Sequence, residues 1–225
     1  MRPAEARKKL ARVLPALRRA YGPREWEPRS SPVDVLVGTI LSQNTTGSNS
    51  SAGLRQLRRR FPSWSAAADA PIGQIAQCIR ICGLSRIKAP RIKKILRQVR
   101  SRCGGRVSLG FLRKLPVDEA TAYLLGLDGV GPKTAACVLM FAFGKEVFPV
   151  DTHVRRIAVR LGLIVEGISA EQAQQVLTPL IRPGDRYEMH VLLIAHGRQT
   201  CRARNPLCGG CLLMRMCPRG RASQP

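Results

Sequence analysis

The chain has 225 residues, 44% of them apolar, enough for one large domain or two small ones with real cores and too many for a disordered segment. Its 38 Lys and Arg against 14 acidic residues leave a formal charge of +24. That excess excludes a neutral surface and favours a polyanionic partner, nucleic acid ahead of an anionic membrane. No apolar run approaches the roughly 20 residues of a membrane span, so no membrane association is expected.

The N-terminal stretch MRPAEARKKLARVLPALRRAYG reads as an amphipathic basic helix over residues 4–21, closed by Gly22-Pro23. It lacks the apolar core and cleavage site of a secretory signal. Glu5 and the absence of serines separate it from an organellar presequence. A chain that is not secreted is expected, cytoplasmic (at the nucleoid) in a bacterium, nuclear or organellar in a eukaryote.

Ser31-Pro32-Val33-Asp34 has the form of a helix start, with a cap, a proline and a first-turn acid. The helix through VDVLVGTILS runs into a polar stretch, Gln43 to Ser50, which packing gives little reason to bury. A basic helix comes next, with Leu54, Leu57 and Phe61 inward. In residues 78–102, Ile87, Ile92, Ile95, Leu96 and Val99 fit one buried face, and Arg86, Lys88, Arg91 and the other cations cover the rest. Gly83-Leu84 within it reads equally as the end of an ordinary helix or as a degenerate copy of a second, sharper turn. That second turn is Gly129-Val130-Gly131-Pro132, between two apolar helical runs, with Lys133 at the start of the second run. Eighteen residues past Lys133, Asp151 sits where a cap for the next helix belongs. Ser169-Ala170-Glu171-Gln172 and Asp185-Arg186-Tyr187-Glu188 both fit the capping-box pattern. No alternating strand pattern occurs. About ten helices with short connections make the fold all-α.

Of eight cysteines, Cys78, Cys82, Cys103 and Cys137 are scattered and read as reduced thiols in or near the core. The other four crowd together as C-x6-C-x2-C-x5-C: Cys201, Cys208, Cys211 and Cys217, with Pro218 next in the chain. Four thiolates so close suit zinc or an iron–sulfur cluster. Zinc ribbons pair two CxxC units, whereas only one is present here, which favours iron–sulfur. Arg202 and Arg204, between the first two cysteines, form a basic loop open to phosphates or simply to solvent.

Taken together, SPVDVLVGTILSQNTT, GLSRIKAPRIKKI, LDGVGPKTA, FPVDTHV and HGRQTC with its cysteine spacing resemble the endonuclease III family of helix–hairpin–helix DNA glycosylases. The likeness runs in order over nearly the whole chain. It implies two helical domains with a DNA-binding cleft between them: a six-helix domain over 25–145, and a cluster domain formed by 1–24 together with 146–225. It implies a base-excision-repair enzyme acting on double-stranded DNA as a monomer, which flips out a damaged base, expected to be an oxidised pyrimidine, and removes it. Associated apurinic/apyrimidinic lyase cleavage of the strand is implied as well. A glycosylase without lyase activity, acting on uracil, mismatched thymine or alkylated bases, and a non-catalytic DNA-binding module stand as alternatives.

By the same resemblance, Lys133 is the nucleophile and Asp151 its catalytic partner. A lysine attacks only as the neutral amine, the form favoured by the partial positive charge of a helix start. Gly129, Gly131 and Thr134 would hold a phosphate, and Asn44 would fill the space left by the flipped nucleotide, with Gln43 against the opposite strand. As a bland alternative, Gln43 and Asn44 are only a capping loop. His153 would touch DNA or order Asp151, while His190 and His196 are satisfied helix residues. The four clustered cysteines would hold a 4Fe–4S cluster. The chain departs from the family at Asn44, where Gln is common, at Gly47, where Asp is common, and at Pro132, where a basic or polar residue is usual; these departures fall where the lesion is chosen. Adenine-removing relatives usually lack the lysine and carry an extra C-terminal domain. Lys133, and an end eight residues after Cys217, set this chain apart from them.

Overall fold

A computed structural model describes residues 2–28 and 30–222. Among the described residues all regular structure is helical. The helices are α1 (Pro3–Tyr21), α2 (Pro32–Leu41), α3 (Gly47–Arg60), α4 (Trp64–Asp69), α5 (Ile72–Cys78), α6 (Ser85–Arg102), α7 (Val117–Leu125), α8 (Pro132–Phe143), α9 (Thr152–Arg160), α10 (Ala170–Leu177), α11 (Arg186–Gln199) and α12 (Pro218–Arg221). Short 3-10 turns lie at Arg80–Cys82, Gly110–Arg113, Thr178–Leu180 and Met214–Met216. The chain divides into two compact units, Pro28–Lys145 and a unit made of both ends, Met1–Glu27 with Glu146–Pro225.

Among its described residues the central unit holds seven α-helices rather than six, because Ala70-Pro71 separates α4 from α5. Its axis is α8, apolar all round, with Ala135, Val138, Leu139 and Met140 at most 1% exposed. Helix α2 packs against it and buries Leu36, Val37 and Ile40 completely. Ser31 caps α2 as expected, its hydroxyl accepting the Asp34 N–H at 3.1 Å. The polar stretch is shorter than its sequence suggests. Thr46 caps α3 at Asn49 N–H, so Gly47 to Ser50 are already helical and Ser50 is buried. Gly53 allows α3 to approach the 3-10 turn: a Cβ there would lie 2.3 Å from Cys82 Sγ.

Helix α6 corrects the sequence reading in one respect. Ile87 is 56% exposed, and Lys88 is 2% exposed. The buried face is Lys88, Ile92, Ile95, Leu96 and Val99, positions i, i+4, i+7, i+8 and i+11 of one helix side, and Ile87 lies one residue off that register.

In the terminal unit, Ala6, Leu10, Val13, Leu14 and Leu17 of α1 are buried, and α1 packs against α11. Arg18 donates to Glu188 from Nε and Nη2 at 2.9 and 2.5 Å, and the Arg24 amide donates to the same carboxylate at 3.1 Å. Burial alone would raise the Glu188 carboxyl; these hydrogen bonds and the Arg18 charge outweigh it and hold the group below the usual carboxylate range. The capping box expected at Asp185 is therefore absent: Glu188 is committed to Arg18, and Asp185 accepts from Arg182 Nε at 2.8 Å. The box at Ser169 forms, with reciprocal bonds of 3.1 Å between Ser169 and Gln172. Gly197 brings α11 close to α9, since a Cβ there would lie 2.7 Å from His153 Nδ1.

Candidate active site and cysteine loop

The turn between α7 and α8 is built by glycine where the backbone demands it. Gly129 has φ of 68°, and a Cβ on it would lie 2.2 Å from Arg91 Nε, so the Arg91 guanidinium rests on the bare backbone. Val130 tucks inward and donates its N–H to Leu127 C=O at 3.1 Å. Gly131 caps α8 in an extended conformation, and Pro132 occupies the first helical position. The first i→i−4 bond of α8 runs from Ala135 N–H to Gly131 C=O. The Lys133 and Thr134 amides, which precede it, therefore have no acceptor within the helix, and they add to the partial positive charge of the helix start. Lys133 is half-buried in the first turn. Thr134 is 4% exposed, so its side chain faces the core and its backbone is what the turn presents.

In the same unit, the loop after α2 carries Gln43 and Asn44. Asn44 is exposed in the left-handed region, φ 53°, and Gln43 is half-buried. The second turn, Gly83-Leu84, also has two left-handed residues, φ 65° and 51°, and exposes an apolar group: Ile81, Leu84 and Ile87. The Lys88 side chain lies behind both loops and donates to Leu41, Gln43 and Cys82 carbonyls at 2.9, 2.6 and 3.0 Å. Desolvation by burial lowers its pKa from the ordinary lysine value. Sequence reading placed Lys88 on the solvent face. The available signal was register: Lys88 stands four residues before Ile92 and seven before Ile95.

Asp151 belongs to the terminal unit. It caps α9, Oδ1 accepting the Val154 N–H at 2.8 Å, and its other oxygen takes no part in that bond. His153 faces Arg156 Nη2 across 3.0 Å and packs on Gly197. His190 is buried, with Nδ1 2.9 Å from Pro149 C=O.

Cys201, Cys208, Cys211 and Cys217 line one cavity together with Ile157, Arg160 and His196. Among the described residues, no three His, Cys, Asp or Glu side chains form a group that could hold a single metal ion. The four sulfurs share one chamber. Donors face several of them: Arg160 Nη1 to Cys201 at 3.2 Å, Leu213 N–H to Cys211 at 3.4 Å and Gly220 N–H to Cys217 at 3.3 Å. Burial first pushes the Cys211 thiol up, the Leu213 N–H draws it down, and the neighbouring Cys201, Cys217 and Cys208 add to the rise. His196 is 3% exposed and bridges Tyr21 OH at 2.9 Å and Cys211 Sγ at 3.7 Å. Burial, then Arg156, bring its pKa down to about 4, so its ring is neutral. Arg202 and Arg204 are exposed on the loop, Arg202 Nε donating to Gln199 C=O at 3.2 Å.

Residues 37–183 match the family model of HhH-GPD superfamily base excision DNA repair proteins. An endonuclease III of Synechocystis is 35% identical over 86% of this chain and 84% of its own length, and one of Sulfolobus acidocaldarius is 30% identical over 81% and 80%. A protein of Arabidopsis thaliana carried under a DNA glycosylase name is 36% identical over 87% of this chain, which spans only 64% of that protein's length. Among solved structures, an endonuclease III in a non-covalent complex with DNA superposes with a TM-score of 0.83 at 27% identity, covering 96% of this chain and 97% of that one. A trapped covalent endonuclease III–DNA intermediate gives 0.82 at 26%, with the same coverage. Among the described residues no helix is long and apolar enough to cross a membrane. The chain belongs to the HhH-GPD superfamily of base excision DNA repair proteins.

Proposed function

We propose that this protein is a base-excision-repair DNA glycosylase with apurinic/apyrimidinic lyase activity, using Lys133 as nucleophile and Asp151 as its partner. One observation carries the reading: a lysine in the first turn of α8, immediately after a glycine turn in which nothing lies within 4 Å of where a Cβ on Gly131 would stand, room for a phosphate. A base inside a duplex is out of reach, so the nucleotide is flipped out, most cheaply where pairing is already damaged. The charge of +24 supplies a sequence-independent, salt-sensitive hold on the phosphates. His153, Arg202 and Arg204 are assigned to that hold, and Gln43 and Asn44 to the vacated stack.

The neutral Lys133 amine attacks C1′, the C1′–N bond breaks, and the base leaves with its bonding electron pair and takes up a proton. Loss of the sugar-ring oxygen bond gives an imine. A C2′ proton then departs, and the 3′ phosphate leaves with its electron pair, cutting the strand. The Asp151 carboxylate stabilises the positive charge that grows on the sugar and accepts the lysine proton. The substrate assigned is an oxidised pyrimidine.

We also assign a 4Fe–4S cluster to Cys201, Cys208, Cys211 and Cys217. The donor set supports it: four thiols around one chamber, with N–H donors aimed at the sulfurs, and the single CxxC spacing that favours iron–sulfur. When bound, the cluster cross-links the loop at four points and so fixes the Arg202 and Arg204 backbone.

Borohydride trapping tests the function on duplexes carrying oxidised pyrimidine, uracil, mismatched thymine or an abasic site. A covalent adduct in the wild type, reduced by at least about a thousandfold in Lys133→Gln, is expected. Base release without an adduct overturns the lyase step, and neither product overturns the glycosylase. A brown protein with broad visible absorption is expected, and a colourless zinc-loaded one from anaerobic preparation overturns the cluster.

A further inference from the structure

Three carbonyls, from two loops well separated in the chain, converge on one side chain that the mechanism leaves unused. Lys88 is 2% exposed, and its donors meet Leu41 C=O at 2.9 Å, Gln43 C=O at 2.6 Å and Cys82 C=O at 3.0 Å. An ammonium has three N–H donors, and three main-chain acceptors use all of them. None of these partners is a carboxylate, so the group is not half of an ion pair. Two of its acceptors are instead carbonyls at the ends of helical segments. Leu41 is the last residue of α2, and Cys82 the last of the 3-10 turn Arg80–Cys82. Such carbonyls lack intrahelical N–H partners and carry partial negative charge, and a cation satisfies both needs.

The residues just beyond the acceptors give the contact its meaning. One residue past Gln43 stands Asn44, exposed at φ 53°; two residues past Cys82 stands Leu84, 49% exposed at φ 51°. Left-handed backbone is tolerated by Asn44 but costly for Leu84, where it persists only because neighbouring structure holds it. Beyond Lys88, Ser42 N–H to Gly38 C=O, Gln43 N–H to Ile40 C=O and the Ser42 hydroxyl to Thr39 C=O hold the segment after Leu41 at the helix end. Lys88 joins the two loops to each other.

We propose that Lys88 is a positioning residue that locks the Asn44 loop to the Gly83-Leu84 turn, holding both in one arrangement before a duplex arrives, and so sets discrimination for a damaged base. The proposal rests on the glycosylase reading for its functional half only. Its structural half concerns the free protein. Preformed loops lose less freedom on engaging an opened base pair, and the benefit falls on the step in which a base must be unstacked. An abasic site has no base to unstack, so its cleavage depends less on the lock.

Lys88→Met keeps the length and apolar stem and removes all three donors. In the free protein, amide exchange of peptides covering 42–46 and 83–87 is expected to quicken about tenfold, with the rest of the central unit unchanged. Single-turnover release of the lesion base is expected to fall about 30-fold. Cleavage of a preformed abasic site and binding to undamaged duplex should stay within about threefold. Unchanged exchange in both segments overturns the lock. Faster exchange with an equal loss on lesion and abasic duplexes overturns the discriminating role. If the wild type releases no base, the glycosylase reading fails while the exchange result still decides the lock. Should Lys88→Met fail to fold, 15N-lysine spectra of the wild type serve: one ammonium resonance protected from solvent exchange is expected and is absent from Lys88→Arg, and wild-type spectra with every lysine ammonium freely exchanging overturn the proposal.

Discussion

The central unit contains two helix–turn–helix corners, Cys82–Ser85 and Leu127–Pro132, and they solve one backbone problem in opposite ways. Both reverse direction with a glycine of positive φ, 65° at Gly83 and 68° at Gly129. The second corner then adds Gly131 and a proline start, keeps Val130 inward, and leaves the Lys133 and Thr134 amides without helical acceptors. The first corner instead forces Leu84 into left-handed backbone and pushes Ile81, Leu84 and Ile87 into solvent. The Leu127–Pro132 corner presents backbone donors alone, whereas the Cys82–Ser85 corner adds exposed apolar side chains to its own first-turn amides. The same fold element thus becomes a polar or an apolar surface according to one or two residues at its tip.

The largest effect at either corner is expected from Gly129. Gly129→Ala meets both the positive φ and the Arg91 guanidinium, and should cost about 2–4 kcal/mol by denaturant unfolding while weakening duplex binding about tenfold. Gly83→Ala meets the φ alone, with no atom within 4 Å of the added carbon, and should cost about 1–2 kcal/mol. The gap between the two is the Arg91 contact. Arg91→Ala combined with Gly129→Ala should close it, and a gap left unchanged in that double variant removes Arg91 from the account. The smallest effect is at Leu84. Leu84→Asn relieves the left-handed strain and should raise stability by about 0.5–1 kcal/mol, seen as a Tm a few degrees higher; a lower Tm shows that the exposed side chain packs in solution.

The same two corners show how far sequence reading reached. Gly129-Val130-Gly131-Pro132 was legible because glycine and proline are the residues such a turn requires, and Ser31, Asp151 and Ser169 were legible as caps for similar reasons. Lys88 and Ile87 were not. A helix made of alternating isoleucines and cations offers two adjacent registers. The spacing of Lys88 from Ile92 and Ile95 hints at one of them, and three carbonyls supplied by segments outside the helix decide it. The Asp185 box failed in the same manner, since Glu188 is drawn to Arg18, 170 residues away. In the cysteine loop, spacing picked out the four thiols that share a chamber, while the His196 bridge to Tyr21 depends on where α1 lies, information spread over 175 residues.

That long separation bears on how the molecule is made. The terminal unit is assembled from the first 27 residues and from Glu146–Pro225. During synthesis α1 emerges long before its packing partner α11 and the four clustered cysteines. The central unit has all of its sequence by Lys145 and can collapse on its own, whereas α1 must wait with Leu10, Val13, Leu14 and Leu17 uncovered. Arg7, Lys8, Lys9, Arg12, Arg18 and Arg19 keep that waiting helix soluble. A surface charge otherwise read as suited to a polyanion therefore also protects an early-made segment through the interval before its partner exists.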